Sequence, residues 1–131
     1  MIRYVRVALV LWTAVATAAI DAGHWVQVEG GTWNPSSTIL SELEATLKPV
    51  VTAASQNRGR LAPWNEYTFQ YQGRRTLLGR RFVYVNAFCV HEDGDLRREW
   101  IDVDDGGACF FRAKFDPEKK LVYDVEVNGV A

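Results

Sequence analysis

One change in the spacing of apolar residues constrains the fold of this 131-residue chain more than any other feature. Across positions 37–56, apolar side chains recur every three or four residues, which is the spacing of one face of an α-helix. After Pro63 they alternate with polar side chains, as in strands that bury one face. The sequence therefore predicts one long helix followed by a sheet. The helical stripe consists of Leu40, Leu43, Leu47, Val50, Val51 and Ala54.

Local signals place the ends of this helix. Residues 36–38 are Ser-Ser-Thr and offer N-caps, and Asn-Arg-Gly at positions 57–59 is typical of a helix end. Pro49 lies within the helix and predicts a bend, because proline removes one backbone N–H donor.

Four segments after the helix alternate as strands do, around residues 67–72, 81–90, 108–115 and 121–127. No helical pattern separates them, so we expect an antiparallel meander with one face under the helix and the other facing water or a partner. Residues 100–103 are a candidate short extension of the sheet. A short strand or extended arm at residues 25–28 precedes the helix. The predicted fold class is α+β, with one long helix packed on a curved antiparallel sheet of four to five strands.

Composition indicates one ordinary globular domain. The chain is 48% hydrophobic and 24% charged, with 15 basic and 16 acidic residues. This balance lacks the basic excess of most nucleic-acid-binding proteins, so we expect no nucleic acid partner.

The first twenty residues are typical of a secretory signal peptide. Arg3 and Arg6 precede an uncharged, mostly apolar run at residues 7–20, which is shorter than the ~20 residues that a transmembrane helix needs. We expect a signal peptide at 1–20, a single domain at 21–131, a periplasmic or secreted location, and no stable membrane insertion after cleavage. An uncleaved anchor or an N-terminal strand is the alternative.

Cys89 and Cys109 are the two cysteines of the chain, and each lies on the core-facing side of a predicted strand. Opposed residues of neighbouring antiparallel strands approach to disulfide distance, and an oxidising compartment favours the bond. We therefore predict a Cys89–Cys109 disulfide. The alternative is a catalytic thiol assisted by His91.

Other chemical motifs are weak. His24 and His91 have no zinc-ligand spacing around them, and the acidic segment 92–105 lacks the ligand pattern of an EF-hand calcium loop, so solvated turns explain it better. The sequence also lacks a Gly-x-Ser-x-Gly nucleophile elbow. We expect no catalytic residues, no metal site, no cofactor and no enzymatic activity.

The predicted hairpin between the first two sheet strands is the best candidate for a partner-binding site. Its tip places two leucines among four arginines. The leucines could enter a pocket of a partner, and the arginines could bind its carboxylates. A plain solvated hairpin is the alternative. Together with the Gly-Gly arm, the candidate residues are Gly30, Gly31, Arg74, Arg75, Leu77, Leu78, Arg80 and Arg81.

The order of elements resembles the cystatin-like fold. The matching features are Gly30-Gly31 ahead of the helix, the hairpin around Gly73 and the aromatic strand at residues 109–111. Gln70-Tyr71-Gln72-Gly73 departs from the Gln-x-Val-x-Gly loop of true cystatins, and Pro63-Trp64 precedes the sheet strands instead of occupying the last hairpin. Protease inhibition is therefore not implied. Four short motifs are also similar to those of small exported bacterial proteins of unknown role: Asn86-Ala87-Phe88-Cys89, Cys109-Phe110-Phe111, Phe115-Asp116-Pro117 and Val127-Asn128-Gly129.

These observations predict an exported, non-enzymatic protein-binding domain of the inhibitor, immunity or envelope accessory type, with an unknown protein partner in the cell envelope or outside the cell. The alternative is a small-ligand-binding protein or enzyme with a cone-shaped sheet like the nuclear-transport-factor-2-like fold. Its pocket would be lined by Tyr67, Phe69, Tyr84 and Tyr123. A purely structural role in the envelope is a third possibility.

Overall fold

The computed structural model describes residues 24–129, so the expected signal peptide at 1–20 lies outside the described residues. One helix packs on a five-stranded sheet, which confirms the α+β fold class. The strands lie in the order β1 to β5, and every neighbouring pair is antiparallel except β1 and β2, which are parallel. The elements are β1 (His24–Gln27), α1 (Ser37–Ala54), β2 (Thr68–Arg75), β3 (Arg81–Phe88), β4 (Phe110–Asp116) and β5 (Leu121–Val127).

Helix α1 begins and ends close to the predicted positions. The Ser36 hydroxyl accepts a hydrogen bond from the N–H of Ile39, as an N-cap does. Pro49 is accommodated within the helix on its exposed side. Leu43, Leu47 and Val51 from the apolar stripe are fully buried against the sheet. The 3.6-residue period thus predicted the face that packs.

Aromatic side chains of the sheet form the other half of the core. Tyr67, Phe69, Phe111 and Phe115 are buried, and Trp64 from the short turn before β2 packs among them. The Tyr67 hydroxyl donates to the carbonyl of Ala108 at 2.6 Å. This bond satisfies the one polar atom of a buried tyrosine.

The second face of the sheet is not open over β2 and β3, which corrects the expectation that it meets water. The Gln70 side chain donates to the carbonyls of Leu96 and Glu99 and accepts hydrogen bonds from Asn86 and from the N–H of Ile101. The connection between β3 and β4, residues 89–109, therefore covers this face and is called the covering loop below. Polar residues of an alternating strand can be buried when a loop backbone satisfies their hydrogen bonds.

This covering loop also contains residues 100–103, for which we expected a strand; that expectation is wrong. The segment lies across the sheet instead of beside it, and its backbone bonds go to side chains of β2 and β3.

The predicted disulfide is present. Cys89 and Cys109 directly follow and precede the opposed residues Phe88 and Phe110, and their Cα atoms lie 5.0 Å apart. The N–H of Cys89 also donates to the carbonyl of Cys109 at 3.0 Å. The bond joins the two ends of the loop that covers the sheet.

Candidate protein-binding site

The hairpin of β2 and β3 ends in a defined turn that exposes two leucines. Relative exposure is 107% for Leu77 and 97% for Leu78. The N–H of Thr76 donates to the carbonyl of Arg80 at 2.8 Å, and the N–H of Gly79 donates to the carbonyl of Thr76 at 2.9 Å. Gly79 has a φ of +83°, which glycine adopts without strain. The turn thus holds both leucine side chains away from the domain.

Arg74 and Arg81 lie over aromatic rings on the two sides of the hairpin. The guanidinium carbon of Arg74 is 4.3 Å from the ring centre of Tyr84 and 5.3 Å from that of Trp100. That of Arg81 is 4.8 Å from the ring centre of Trp33. These cation–π contacts fix the stem of the hairpin against its neighbours.

Arg80 is bound to Asp116 at the end of β4. Its Nη2 atom lies 2.8 Å from Oδ2 of this carboxylate, while Oδ1 accepts the N–H groups of Glu118 and Lys119 at 2.9 and 3.0 Å. Burial opposes ionisation of Asp116, but these two N–H groups and the Arg80 guanidinium outweigh it, so the pKa of Asp116 lies below its ordinary value. Asp116 therefore ties the hairpin tip to the β4–β5 turn.

Arg75, the fourth arginine of the hairpin, makes neither a cation–π contact nor an ion pair with the described residues. It is exposed, and Nη1 donates to the carbonyl of Gly79 at 3.1 Å. Within residues 24–129, no carboxylate lies within ion-pair distance of Arg75. The four arginines predicted as one ring thus divide into three that hold the hairpin and one that points into solvent beside the leucines.

The Gly30–Gly31 turn lies at the same end of the sheet. Gly30 has a φ of +95°. A Cβ on Gly31 would lie 2.7 Å from the carbonyl oxygen of Gly73, so a side chain there would clash with β2. Just after the turn, the indole N–H of Trp33 donates to the carbonyl of Arg74 at 2.8 Å. The predicted arm is therefore docked on the hairpin stem.

The other predicted candidates are not assembled into a site. The side chains of His24 and His91 face solvent. In the described part of the chain, no three His, Cys, Asp or Glu side chains are grouped to hold a metal ion. Among residues 24–129, no helix has the length and hydropathy to cross a membrane.

The tyrosines and phenylalanine expected to line a ligand pocket lie on opposite sides of the sheet. Tyr67 and Phe69 are buried under α1. Tyr84 is on the other face, where Trp100 packs edge-on against it, and Tyr123 pairs with Lys114 on that outer side of the sheet. The structure does not bring these four side chains to one cavity.

Sequence reasoning missed Asp116 and Trp33 as residues that hold this site. Asp116 followed by proline was recognisable as turn chemistry, but its partner Arg80 is 36 positions away in the chain. Trp33 gave no local signal for its contact with Arg81.

No family model, curated protein or solved structure matches this chain. The similarity to the cystatin-like fold therefore remains one of element order.

Proposed function

We propose that this protein is an exported, non-enzymatic protein-binding domain that docks onto its partner through the tip of the β2–β3 hairpin. The observation that carries the proposal is the full exposure of Leu77 and Leu78 on a turn whose stem is held on both sides. Two adjacent leucines in water are an unfavourable arrangement that a partner would relieve. Burying each one contributes about 1.5–3 kcal/mol.

Arg75 adds a charge requirement to this apolar contact. Its guanidinium group has five N–H donors, and the bond to the carbonyl of Gly79 uses one of them, so most donors remain available to a partner. The partner site that fits is an apolar pocket with a carboxylate at its rim. An inhibitor, an immunity factor or an envelope accessory protein would use such a contact.

The disulfide supports export, because such bonds form and persist in oxidising compartments. Together with the predicted signal peptide, it favours a periplasmic or secreted location. Mass analysis of the exported chain tests this: a mature protein that begins at Met1 would contradict cleavage.

The binding proposal is tested in two steps. A photo-crosslinking amino acid at position 77, in the native host, identifies the partner, and its affinity is then measured with both proteins purified. Leu77→Asp combined with Leu78→Asp should weaken binding at least ~100-fold, since the lost burial is worth at least about 3 kcal/mol.

Val90→Asp is the matched control, because Val90 is also an exposed apolar residue but lies beside Cys89 at the far end of β3. It should bind as the wild type does. Equal affinity of the double leucine variant and the wild type would reject the hairpin tip as the docking site.

A further inference from the structure

Strand β1 forms one edge of the described sheet, where β2 is its neighbour. The N–H of His24 donates to the carbonyl of Tyr67, just before β2, at 3.0 Å, and the N–H of Val28 donates to the carbonyl of Tyr71 in β2 at 2.9 Å. Successive residues of a strand turn their backbone groups to opposite sides, so Trp25 and Gln27 direct theirs away from β2. The outer edge of β1 therefore presents backbone donors and acceptors.

A groove of about 580 Å³ follows this edge along residues 25–31 and is bounded by Asn34 and Arg97. Gly30 and Gly31 also line this groove. At one end, the N–H of Glu29 donates to the carbonyl of Arg97 at 2.8 Å, so the covering loop itself pairs with the edge there.

Arg97 gives that end of the groove a positive charge. Its side chain is exposed, and no carboxylate of residues 24–129 lies within ion-pair distance of it. The nearby carboxylate of Glu29 instead lies 3.6 Å from Arg98. An acidic side chain in the groove would therefore meet an uncompensated guanidinium group.

We propose that the β1 edge receives an extended segment of a protein partner, which pairs with Trp25 and Gln27 and places a carboxylate beside Arg97. Addition of a strand to an open sheet edge is a common mode of peptide recognition, in which backbone bonds give affinity and side chains give specificity. Edges that carry no ligand are usually protected against such pairing. The strand contact rests on the proposed protein-binding function and extends it from the hairpin to the neighbouring edge.

The test uses a capped hexapeptide of alternating valine and threonine with one glutamate, titrated into the purified protein and followed by NMR. We expect the peptide to slow hydrogen exchange at the N–H groups of Trp25 and Gln27. Gln27→Pro removes an outward N–H but no bond to β2, and it should abolish this effect. Gln27→Ala is the matched control: it loses the same side chain, including its 2.8 Å bond to Asn34, but keeps the N–H and should bind normally.

Charge reversal tests the role of Arg97. The wild type should bind the glutamate peptide more tightly than a peptide with lysine at the same position. Arg97→Glu should reverse this preference and bind the lysine peptide about fivefold more tightly, as expected for an exposed ion pair. Equal binding by Gln27→Pro and Gln27→Ala would overturn the proposal. So would slow exchange at Gln27 without peptide, because this chain or a second copy would then already cover the edge.

The double Leu77→Asp, Leu78→Asp variant separates the two surfaces. It leaves β1 unchanged and should bind the peptide as the wild type does. Loss of partner binding in this variant with retained peptide binding supports both sites, whereas peptide binding that depends on the leucines would overturn the edge as an independent contact.

Discussion

Arg80 and Asp116 connect the two hairpins that meet at one end of the sheet, with 2.8 Å between Nη2 and Oδ2. The carboxylate is nearly buried and also caps the β4–β5 turn through the N–H groups of Glu118 and Lys119. Asp116 therefore helps to position the exposed leucines, together with the aromatic contacts of Arg74 and Arg81. Hydrogen bonds to a charged group are the stronger kind, so this contact should be measurable in stability.

Asp116→Asn should lower the free energy of unfolding at pH 7 by about 1–3 kcal/mol, because Arg80 loses its charged partner. Asp116 has a lowered pKa, so its contribution is present above the ordinary carboxyl pKa of about 3.9 and is lost as pH falls through the folded value. The difference between wild type and variant in urea unfolding should shrink in acid. Asp124→Asn, which removes an exposed pair with Lys114, is the control and should have little effect. A constant difference at all pH values would contradict the assignment.

Replacing both cysteines, as Cys89→Ala with Cys109→Ala, should lower the free energy of unfolding by ~3 kcal/mol, because a closed loop of about 20 residues is released in the unfolded chain. Chemical denaturation measures this loss. Reductant should destabilise the wild type by a similar amount and leave the alanine variant unchanged. A wild type insensitive to reductant and equal in stability to the variant would show that the bond does not stabilise the fold.

Gln70→Met should lower the free energy of unfolding by about 3 kcal/mol or more, because two loop carbonyls and the N–H of Ile101 lose their bonds to Gln70 and Asn86 loses one of its two. Methionine has a similar length, so packing changes little. Hydrogen exchange at Ile101 should accelerate more than exchange at core amides. Gln27→Met is the control, because its amide is exposed, and should be nearly neutral. A neutral Gln70→Met would mean that the loop is held by other contacts.

Leu47→Ala should lower the free energy of unfolding by about 2–5 kcal/mol, because it leaves a cavity between α1 and the sheet. Leu77→Ala removes the same atoms from a fully exposed position and should change stability by less than about 0.5 kcal/mol. Thermal or urea unfolding compares the two. Equal losses would contradict the assignment of Leu77 to the surface.

Much of the secondary structure was predictable because its causes are local. The apolar stripe through Leu43, Leu47 and Val51 predicted both the helix and the face that it buries. The alternation around Phe69 and Phe111 predicted strands with that side in the core. The disulfide was predictable because strand pairing puts Cys89 opposite Cys109.

The arrangement of the candidate site was less predictable, because it depends on residues far apart in the chain. Leucines at a turn are recognisable from the sequence, but the division of the arginines is not. Arg74 and Arg81 are fixed by rings of other elements, whereas Arg75 has none of these contacts among the described residues.

The amino-acid sequence by itself determined one helix and the face that it buries, the strands that follow it and the cysteine pair, since residue spacing and neighbouring turns set these features. The tertiary structure decided that β1 runs parallel to β2, that a loop buries Gln70 and Asn86, and that the Gly30–Gly31 turn docks beside the hairpin. These features depend on which distant groups satisfy one another's hydrogen bonds and charges, and no local pattern records that choice.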